Sequence, residues 1–454
     1  MEKISRREFL KIGGAGAAAA ALAACSGGKK SPSASAAQGA SGEMEYRTNP
    51  GNGDKVSLLG YGCMRWPMLK DEEGNNTVID QEKVNELIDY AMAHGVNYYD
   101  TSPAYLMGQS EKATGIALAR YPRKDFFIAT KLSNFNDASE QASVKMYHDS
   151  FEEMQTDWFD YYLMHSIGRG GYDAFCKRYV DNGLMDFVLK EREAGRIRQL
   201  GFSFHGAPAE FDELIKTHDK YHWDFVQIQM NYVDWAHADG QRNTDAEYLY
   251  DELYNKRGIP ITIMEPLQGG RLANLPDNVA AQLKEKDPDA SLASWAFRFA
   301  GTLPGILTVL SGMTYMENLV DNVKTYTGFR PMSEDELDFM ATMAALIKEY
   351  PTVDCNDCKY CMPCPYGINI PEIFRHYNSC VNEGMIAHSS EQKDFKKLRK
   401  AYLTSYNKAV PTLRQADHCI GCHQCEPHCP QSIPIPKELQ RIDRYIESLK
   451  RETL

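Results

Sequence analysis

Residues 96–105 read VNYYDTSPAY, a short apolar run that ends in an aspartate and passes into a loop. The segment before it starts at Asp80, stops at Gly95 and carries apolar side chains at helical spacing: Val84, Leu87, Ile88 and Ala91. An aspartate in front of such a segment and a glycine behind it are typical of the two ends of an α-helix. The sequence here predicts a helix, a buried strand and a loop that begins with a polar residue.

The same unit repeats along the chain. Apolar runs typical of buried strands recur at Leu58–Met64, Val96–Tyr99, Phe126–Thr130, Tyr161–Met164, Ile197–Phe202, Phe225–Gln229, Ile261–Met264 and Ile306–Leu310. Helical patterns separate them, and the clearest are Met185–Ala194, Phe211–Thr217 and Met316–Tyr326. Eight strand–helix units within about 270 residues predict an α/β fold of the (β/α)8 TIM-barrel type. A doubly wound open sheet is the alternative, which is less favoured because no strand is followed by a G-x-G-x-x-G turn.

Polar side chains follow three consecutive predicted strands. Asp100, Lys131 and His165 come directly after them, and Tyr105 lies five residues beyond Asp100. In a barrel, residues just past the carboxyl ends of the strands line one mouth. Taken singly, these residues are also compatible with a helix cap, a solvated charge or a hydrogen-bonded structural histidine. Taken together, they indicate a functional site at the mouth.

Several segments resemble the aldo/keto reductase superfamily, and the resemblance covers residues 50–330. They are LGYGCMR at 59–65, VNYYDTSPAY at 96–105, IATK at 128–131, YYLMH at 161–165 and GRIRQLGFS at 195–203. The resemblance implies that Asp100, Tyr105, Lys131 and His165 form a catalytic tetrad acting on a small-molecule carbonyl or alcohol. A free tyrosine has a pKa near ~10, so we expect Lys131 to lower that value and Tyr105 to protonate the carbonyl oxygen. We expect Asp100 to hold Lys131 in place and His165 to orient the carbonyl.

The resemblance also implies a nicotinamide cofactor. Ser203 and Gln227 would hydrogen-bond its amide, Met264 would take the place of a stacking aromatic, and Asn322 would contact the adenine. Phe204 follows Ser203 where the family often has Asn, and Gly312 and Asn318 lie where basic residues would grip a 2′-phosphate. A phosphate monoester without a cationic partner binds poorly, so we expect NAD(H), or a weakened nicotinamide site, rather than a preference for NADP(H).

Eight of the twelve cysteines lie in two short runs. The first is Cys355-x2-Cys358-x2-Cys361-x2-Cys364-Pro, and the second is Cys419-x2-Cys422-x2-Cys425-x3-Cys429-Pro. The second run matches the bacterial ferredoxin pattern for [4Fe–4S] clusters, and the first is one residue short in its last gap. The sequence therefore predicts two [4Fe–4S] clusters. Two zinc sites of four cysteines each are the alternative.

The resemblance to two-cluster ferredoxins implies that the two runs exchange their last cysteines. Cys355, Cys358, Cys361 and Cys429 would hold one cluster, and Cys419, Cys422, Cys425 and Cys364 the other. Residues 366–418 between the runs look helical, with a predicted core of Phe374, Tyr377, Phe395, Leu398 and Tyr402. We therefore expect a mostly α-helical ferredoxin-like domain after the barrel. We expect Cys63, Cys176 and Cys380 to be buried or incidental.

The amino terminus resembles a twin-arginine (Tat) signal peptide. Arg6 and Arg7 precede a weakly apolar run, Ile12–Ala24, that is too short to span a bilayer stably. Leu22-Ala23-Ala24-Cys25 looks like a lipoprotein processing box, which would leave Cys25 lipidated. A cleavable signal with an incidental cysteine is the alternative. Tat export moves folded proteins, which fits a cofactor assembled before export.

We therefore expect a signal peptide at residues 1–25, a flexible linker at 26–42, the barrel at 43–330, a helical connector at 331–354 and the ferredoxin-like domain at 355–440. The formal charge of −12 argues against a nucleic-acid partner. The expected function is an exported iron–sulfur oxidoreductase on the periplasmic or cell-surface side, anchored to the membrane only through lipidated Cys25, with a redox partner protein. A non-catalytic electron-transfer or binding protein and a reductase with purely structural clusters remain the alternatives.

Overall fold

The computed structural model describes residues 42–71, 76–168, 170–237 and 245–454. The expected signal and linker, with Arg6, Arg7 and Cys25, lie almost entirely outside these ranges. The strands are β1 (Tyr46–Thr48), β2 (Lys55–Ser57), β3 (Leu59–Gly62), β4 (Met68–Lys70), β5 (Asn76–Ile79), β6 (Tyr98–Asp100), β7 (Phe127–Leu132), β8 (Phe159–Ile167), β9 (Ile197–Phe204), β10 (Phe225–Gln229), β11 (Ile261–Met264) and β12 (Ile306–Ser311).

Eight of these strands close into a parallel barrel in the order β3-β6-β7-β8-β9-β10-β11-β12, with β12 paired back to β3. The predicted barrel is therefore confirmed. β10 and β11 have the predicted bounds, but five other strands, β6, β7, β8, β9 and β12, run further than predicted at their carboxyl ends. Asp100 is the last residue of β6, and Lys131 and His165 lie inside β7 and β8, so these residues do not follow their strands as we had predicted. The reason is that ladder pairing continues to the mouth, with Lys131 opposite Leu163.

Helices alternate with the barrel strands and then continue alone. They are α1 (Gln81–Ala93), α2 (Ser110–Leu118), α3 (Glu140–Met154), α4 (Gly171–Phe175), α5 (Leu184–Glu193), α6 (Pro208–Lys216), α7 (His218–Tyr221), α8 (Asp234–His237), α9 (Ala246–Tyr250), α10 (Asp277–Lys286), α11 (Leu292–Thr302), α12 (Met316–Tyr326), α13 (Glu334–Lys348), α14 (Ile370–Asn382), α15 (Phe395–Ala409) and α16 (Ile435–Arg451). The predicted ends of α1 are confirmed: the Asp80 side chain accepts from the backbone N–H of Lys83, and Gly95 has a φ of +86°.

The antiparallel pair β1–β2 closes the amino-terminal end of the barrel. Asn49, in the turn between these strands, is fully buried and donates to the hydroxyl of Tyr161 at 3.1 Å. Tyr161 packs in the barrel interior with Tyr98 and Phe225. Because side chains fill this end of the barrel, the opposite mouth is the candidate position for the active site.

The last three helices form a second core. The four predicted core residues Phe374, Tyr377, Phe395 and Tyr402 are buried there, and Leu398 is partly buried. α13 belongs instead to a cluster that includes Trp295 of the barrel region. None of the helices in the described ranges is both long enough and apolar enough to cross a membrane.

Candidate active site and cluster site

Asp100 and Lys131 form a buried ion pair inside the mouth. Lys131 Nζ donates to Asp100 Oδ1 at 2.5 Å and to the backbone oxygen of Thr101 at 2.8 Å. Gln227 Nε2 donates to the other oxygen of Asp100 at 3.2 Å. Burial raises the pKa of Asp100, while Lys131 and Gln227 oppose that rise. These contacts fix the Lys131 ammonium, as expected for a residue that Asp100 holds in place.

Tyr105 lies next to this pair, but Lys131 faces its ring, with Nζ 4.8 Å from the ring centre. Burial raises the pKa of Tyr105 well above its usual value, and the charges of Asp100 and Glu265 add to the rise. The expected lowering of the Tyr105 pKa is therefore not found, because the effect of burial dominates. The physical reason is that Lys131 is paired with Asp100, while burial penalises the phenolate. Tyr105 is consequently a protonated hydroxyl at neutral pH.

The backbone directly after Tyr105 is strained. Leu106 and Met107 have φ values of 50° and 58°, the left-handed region that side chains other than glycine rarely adopt. Each such residue costs about 1–2 kcal/mol. Strain of this kind concentrates at functional sites, where the surrounding structure holds it in place. This turn places the Tyr105 side chain in the mouth.

His165 is held by two serines. Its Nδ1 lies 2.5 Å from Ser133 Oγ, which lies 2.7 Å from Ser102 Oγ. Within the described ranges, Nε2 makes no hydrogen bond. Burial lowers the pKa of His165 well below its usual value, and the cations of Lys131 and Arg178 add to the fall. The imidazole is therefore neutral, and its ring meets that of Tyr105 edge-on at 5.9 Å between centroids.

The structure places Ser203 next to the end of β9, Gln227 in the middle of β10 and Met264 at the end of β11, and these three strands are adjacent. Ser203 Oγ accepts from the backbone N–H of Ser166 at 2.8 Å. Asn322 lies apart on α12, where it is buried and donates to Ser311 Oγ at 2.9 Å. The candidate nicotinamide contacts thus occupy one side of the mouth, but each of the three polar side chains already has a protein partner.

Three cysteines of the first run, Cys355, Cys358 and Cys361, lie within electrostatic range of Cys429, the last cysteine of the second run. Burial raises the pKa of Cys355 and of Cys358 to about 12, and the charge of Cys429 adds to both shifts. The pKa of Cys361 is raised by the same two causes. Burial also raises the pKa of Cys425 to about 11, with Cys419 and Cys422 among the charges that add to the shift. This grouping is the one expected if the last cysteine of each run binds the cluster of the other run.

Buried thiols that share one neighbourhood become thiolates together only when cations compensate their charges, which the irons of a cluster do. The residues therefore fit one [4Fe–4S] cluster held by Cys355, Cys358, Cys361 and Cys429. Cys419, Cys422 and Cys425 form a second set. Among the described residues, no group of three or more His, Cys, Asp or Glu side chains is placed to hold a single metal ion.

The start of the first cysteine run sits on the barrel mouth. We call residues 354–357 the docking loop. Its Asn356 is buried and donates through Nδ2 to Glu265 Oε1 at 2.9 Å, while its backbone oxygen accepts from Arg65 Nη2 at 2.5 Å. Asp354 forms an ion pair with Arg271 at 2.8 Å. The loop is therefore fixed by polar contacts to residues that follow β3 and β11.

A second polar contact fixes the other end of the same cluster site. Gln431, two residues after Cys429, donates to Gln229 Oε1 at 2.9 Å, and Gln229 donates back at 3.3 Å. Both side chains are buried, and Gln229 ends β10. Both cysteine runs are thus tied to the carboxyl ends of the barrel strands.

A cleft of about 2200 Å³ lies between the mouth and the cysteine runs. Ser133, Phe135 and Arg178 line it from the barrel, and Cys358 and Cys429 line it from the other side. Glu265 is partly buried and acts on both sides: burial mainly raises the pKa of Tyr105 and of Cys358, and the charge of Glu265 adds to each shift. The cleft therefore extends from two candidate cluster ligands, Cys358 and Cys429, to Ser133 and Phe135, which contact His165.

Several site residues were missed from the sequence. Glu265 directly follows the predicted strand Ile261–Met264, so the rule that located Asp100 would also have found it. Arg178 donates to the backbone oxygen of His165 at 3.0 Å and forms no ion pair within the described ranges. It lies in a helical turn whose spacing carries no signal. Asn356 and Gln431 could not be recognised, because only folding brings them to the barrel.

Comparison with known protein families agrees with this arrangement. Residues 58–344 match the model of the aldo/keto reductase family. The chain belongs to the aldo/keto reductase family. In addition to this reductase barrel, residues 354–434 match a 4Fe-4S dicluster domain, and residues 3–23 match a twin-arginine translocation pathway signal sequence. The chain is therefore an exported iron–sulfur oxidoreductase, and the expected family and enzyme class are confirmed.

Relatives of this reductase match between about a third and two thirds of the chain. L-galactose dehydrogenase of Arabidopsis thaliana is 23% identical over 312 residues, which are 65% of this chain and 92% of the relative. The aldo-keto reductase YhdN of Bacillus subtilis is 31% identical over 169 residues, 35% of this chain and 47% of the relative. Among solved structures, an aldo-keto reductase from Bacillus halodurans has a TM-score of 0.52 at 21% identity, with 66% of this chain and 96% of that chain covered. An aldo-keto reductase from Klebsiella pneumoniae in complex with NADPH has a TM-score of 0.51 at 18% identity, with 67% and 95% covered.

Proposed function

We propose that this exported reductase interconverts a small-molecule carbonyl and its alcohol in the barrel mouth, and that two [4Fe–4S] clusters exchange the electrons with a partner protein. The observation that supports this most directly is the shared cleft. Cys358 and Cys429 line the same space as Ser133 and Phe135, which lie beside His165. Clusters that only stabilised the fold would not require a position beside the barrel mouth.

Tyr105 is the proposed proton donor. Its raised pKa keeps the hydroxyl protonated, so it donates a hydrogen bond to the carbonyl oxygen and gives up its proton as negative charge develops there. The Lys131 ammonium lies against the ring and stabilises that charge. When Ser133 donates to Nδ1 of His165, Nε2 carries the ring proton and donates to the same carbonyl oxygen. The tetrad thus binds and protonates the carbonyl group.

Cys355, Cys358, Cys361 and Cys429 would hold the first cluster, and Cys419, Cys422, Cys425 and Cys364 the second. When bound, each cluster would store one electron, so the pair would supply the two electrons that convert a carbonyl to an alcohol. Tyr105 would supply the proton on oxygen, and solvent entering the open cleft would supply the proton on carbon. No step requires NAD(H) or NADP(H).

The second run lies nearer the surface. Cys422 is exposed, and Ile420 beside it is 64% exposed. An apolar side chain next to an accessible cluster ligand favours electron exchange with a docked protein on this side of the molecule.

We also propose that the mature protein is held on the periplasmic or cell-surface side by a lipid on Cys25. The signal-sequence match supports export, and the Leu22–Cys25 pattern supports lipidation. These residues lie outside the described ranges, so sequence alone supports the anchor. Globomycin treatment, which blocks processing of lipoprotein signals, should leave an unprocessed form.

The test is anaerobic mixing of dithionite-reduced protein with a panel of aldehydes and ketones. We expect the carbonyl compound to reoxidise the clusters, with product alcohol formed at one molecule per two electrons. Tyr105→Phe should slow this reoxidation by about 10²–10⁴-fold while the clusters remain loaded, because the proton donor is lost. Tyr46→Phe is the matched control, since Tyr46 is 41% exposed at the closed amino-terminal end of the barrel.

Two results would contradict the proposal. Carbonyl turnover with silent cluster signals in electron paramagnetic resonance would show that the clusters are structural. Equal rates in Tyr105→Phe and Tyr46→Phe would remove Tyr105 from the chemistry.

A further inference from the structure

The family resemblance defines a route that a nicotinamide dinucleotide would follow. Its amide would lie near Ser203 and Gln227, its ring on Met264, and its adenine end near Gly312 and Asn322. Met264 is the last residue of β11, and Gly312 directly follows β12. The molecule would therefore have to cross the carboxyl ends of these two strands.

The docking loop already lies on the first half of that route. Asn356 Nδ2 donates at 2.9 Å to Glu265, the residue directly after Met264. The backbone oxygen of Asn356 is only 2.2 Å from the position that a Cβ on Gly269 would take. The loop is thus in direct contact with the backbone that follows β11, and Gly269 is required because only a residue without a Cβ permits the approach.

Arg65 occupies the second half of the route. Its side chain lies 3.0 Å from the position of a Cβ on Gly312, so it packs on the end of β12. Its guanidinium is bound by the docking loop: Nη2 donates to the backbone oxygen of Asn356 at 2.5 Å, and Nη1 is 3.7 Å from Asp357. A cation that is already paired in this way is a weak partner for a phosphate.

We propose that the docking loop, residues 354–357, takes the place of the nicotinamide dinucleotide, and that the mouth of this barrel is closed to NAD(H) and NADP(H). The residues present do not fit a dinucleotide that crosses β11 and β12, although Ser203 and Gln227 keep the positions that the resemblance assigns to them. The redox group that the residues beside the cleft would hold is then the cluster of which Cys358 and Cys429 would be ligands.

Calorimetric titration of the full-length, cluster-loaded protein with NADH and NADPH tests this proposal. We expect no saturable binding of either up to about 1 mM. The informative variant is Gly312→Lys/Asn318→Arg, which supplies the two missing cations at exposed positions. If the missing positive charge were the only obstacle to NADPH binding, this variant would bind NADPH. Because the docking loop and Arg65 occupy the route of the dinucleotide, we expect that the variant still does not bind it. Asn318→Arg alone serves if the double variant does not load its clusters.

Either of two results would overturn the proposal. One is saturable binding to the wild-type protein, with a Kd below about 100 µM, that Gln227→Ala abolishes. The other is tight NADPH binding by the variant with restored cations while its clusters and docking contacts are intact. Both titrations measure binding alone, so a barrel that lacked the proposed carbonyl chemistry would give the same result.

Discussion

Replacing Gly269 with alanine tests how closely the docking loop contacts the barrel. Gly269 has a φ of +68°, and an added Cβ would lie 2.2 Å from the backbone oxygen of Asn356. The left-handed backbone costs alanine about 1–2 kcal/mol. Relieving the overlap, which involves backbone on both sides, costs about 1–3 kcal/mol more. We expect the second cost to be met by partial release of the docking loop.

Gly258→Ala is the matched control, because Gly258 has a φ of +69° and no atom of the described chain lies within 4 Å of an added Cβ. This variant has the free-energy cost of a left-handed alanine, but its Cβ overlaps no other atom. In hydrogen–deuterium exchange with mass spectrometry, amides of a peptide spanning residues 353–359 should exchange about 5- to 150-fold faster in Gly269→Ala than in Gly258→Ala. Equal exchange in the two variants would refute the close contact between the loop and the strand end.

Three further predictions concern the barrel, the clusters and export. Burial raises the pKa of Glu111 to about 7, so the folded state holds a proton that the unfolded state releases. Stability should therefore fall by up to about 3 kcal/mol as the pH rises from about 4.5 to 7, and this fall should be absent in thermal unfolding of Glu111→Gln; parallel curves would contradict it. Cys429→Ser and Cys355→Ser should each remove the same cluster signal from paramagnetic resonance spectra and about four of eight irons. Loss of different signals would show that the runs do not exchange their last cysteines. Changing Arg6 and Arg7 to lysine should leave cluster-loaded protein in the cytoplasm, as fractionation would show, and normal export would contradict the role of the twin arginines.

The barrel could be predicted because its signals are local and repeat. Each strand is a short apolar run, and a helix such as α1 begins at Asp80 and ends at Gly95 as its residues require. The predicted ends of the strands were less accurate. Backbone hydrogen bonding to neighbouring strands extends β7 and β8 beyond Lys131 and His165 towards the mouth. The side chains still meet there, since parallel strands bring all their carboxyl ends to one side.

Two features of the site could not be predicted from the sequence, and each has a physical reason. The pKa of Tyr105 depends on burial and on the direction from which Lys131 approaches, and neither follows from the order of residues. The contact of Gln431 with Gln229 joins residues 202 positions apart through two amides of ordinary polarity. The cysteine spacing predicted cluster ligands, but not that Cys358 and Cys429 would form one wall of the cleft beside His165.

Because the same residues would bind the cluster and line the cleft, the loading of the metal cofactor and the shape of the proposed substrate pocket would depend on each other. Cys358 and Cys429 line the cleft, and the docking loop beside them covers the ends of β3 and β11. If the proposed cluster orders these cysteines, a chain without iron would lose the shape of one side of the proposed substrate cleft, in addition to the proposed electron store. Since twin-arginine export accepts only folded cargo, assembly in the cytoplasm would then decide both whether the enzyme is active and whether it leaves the cell.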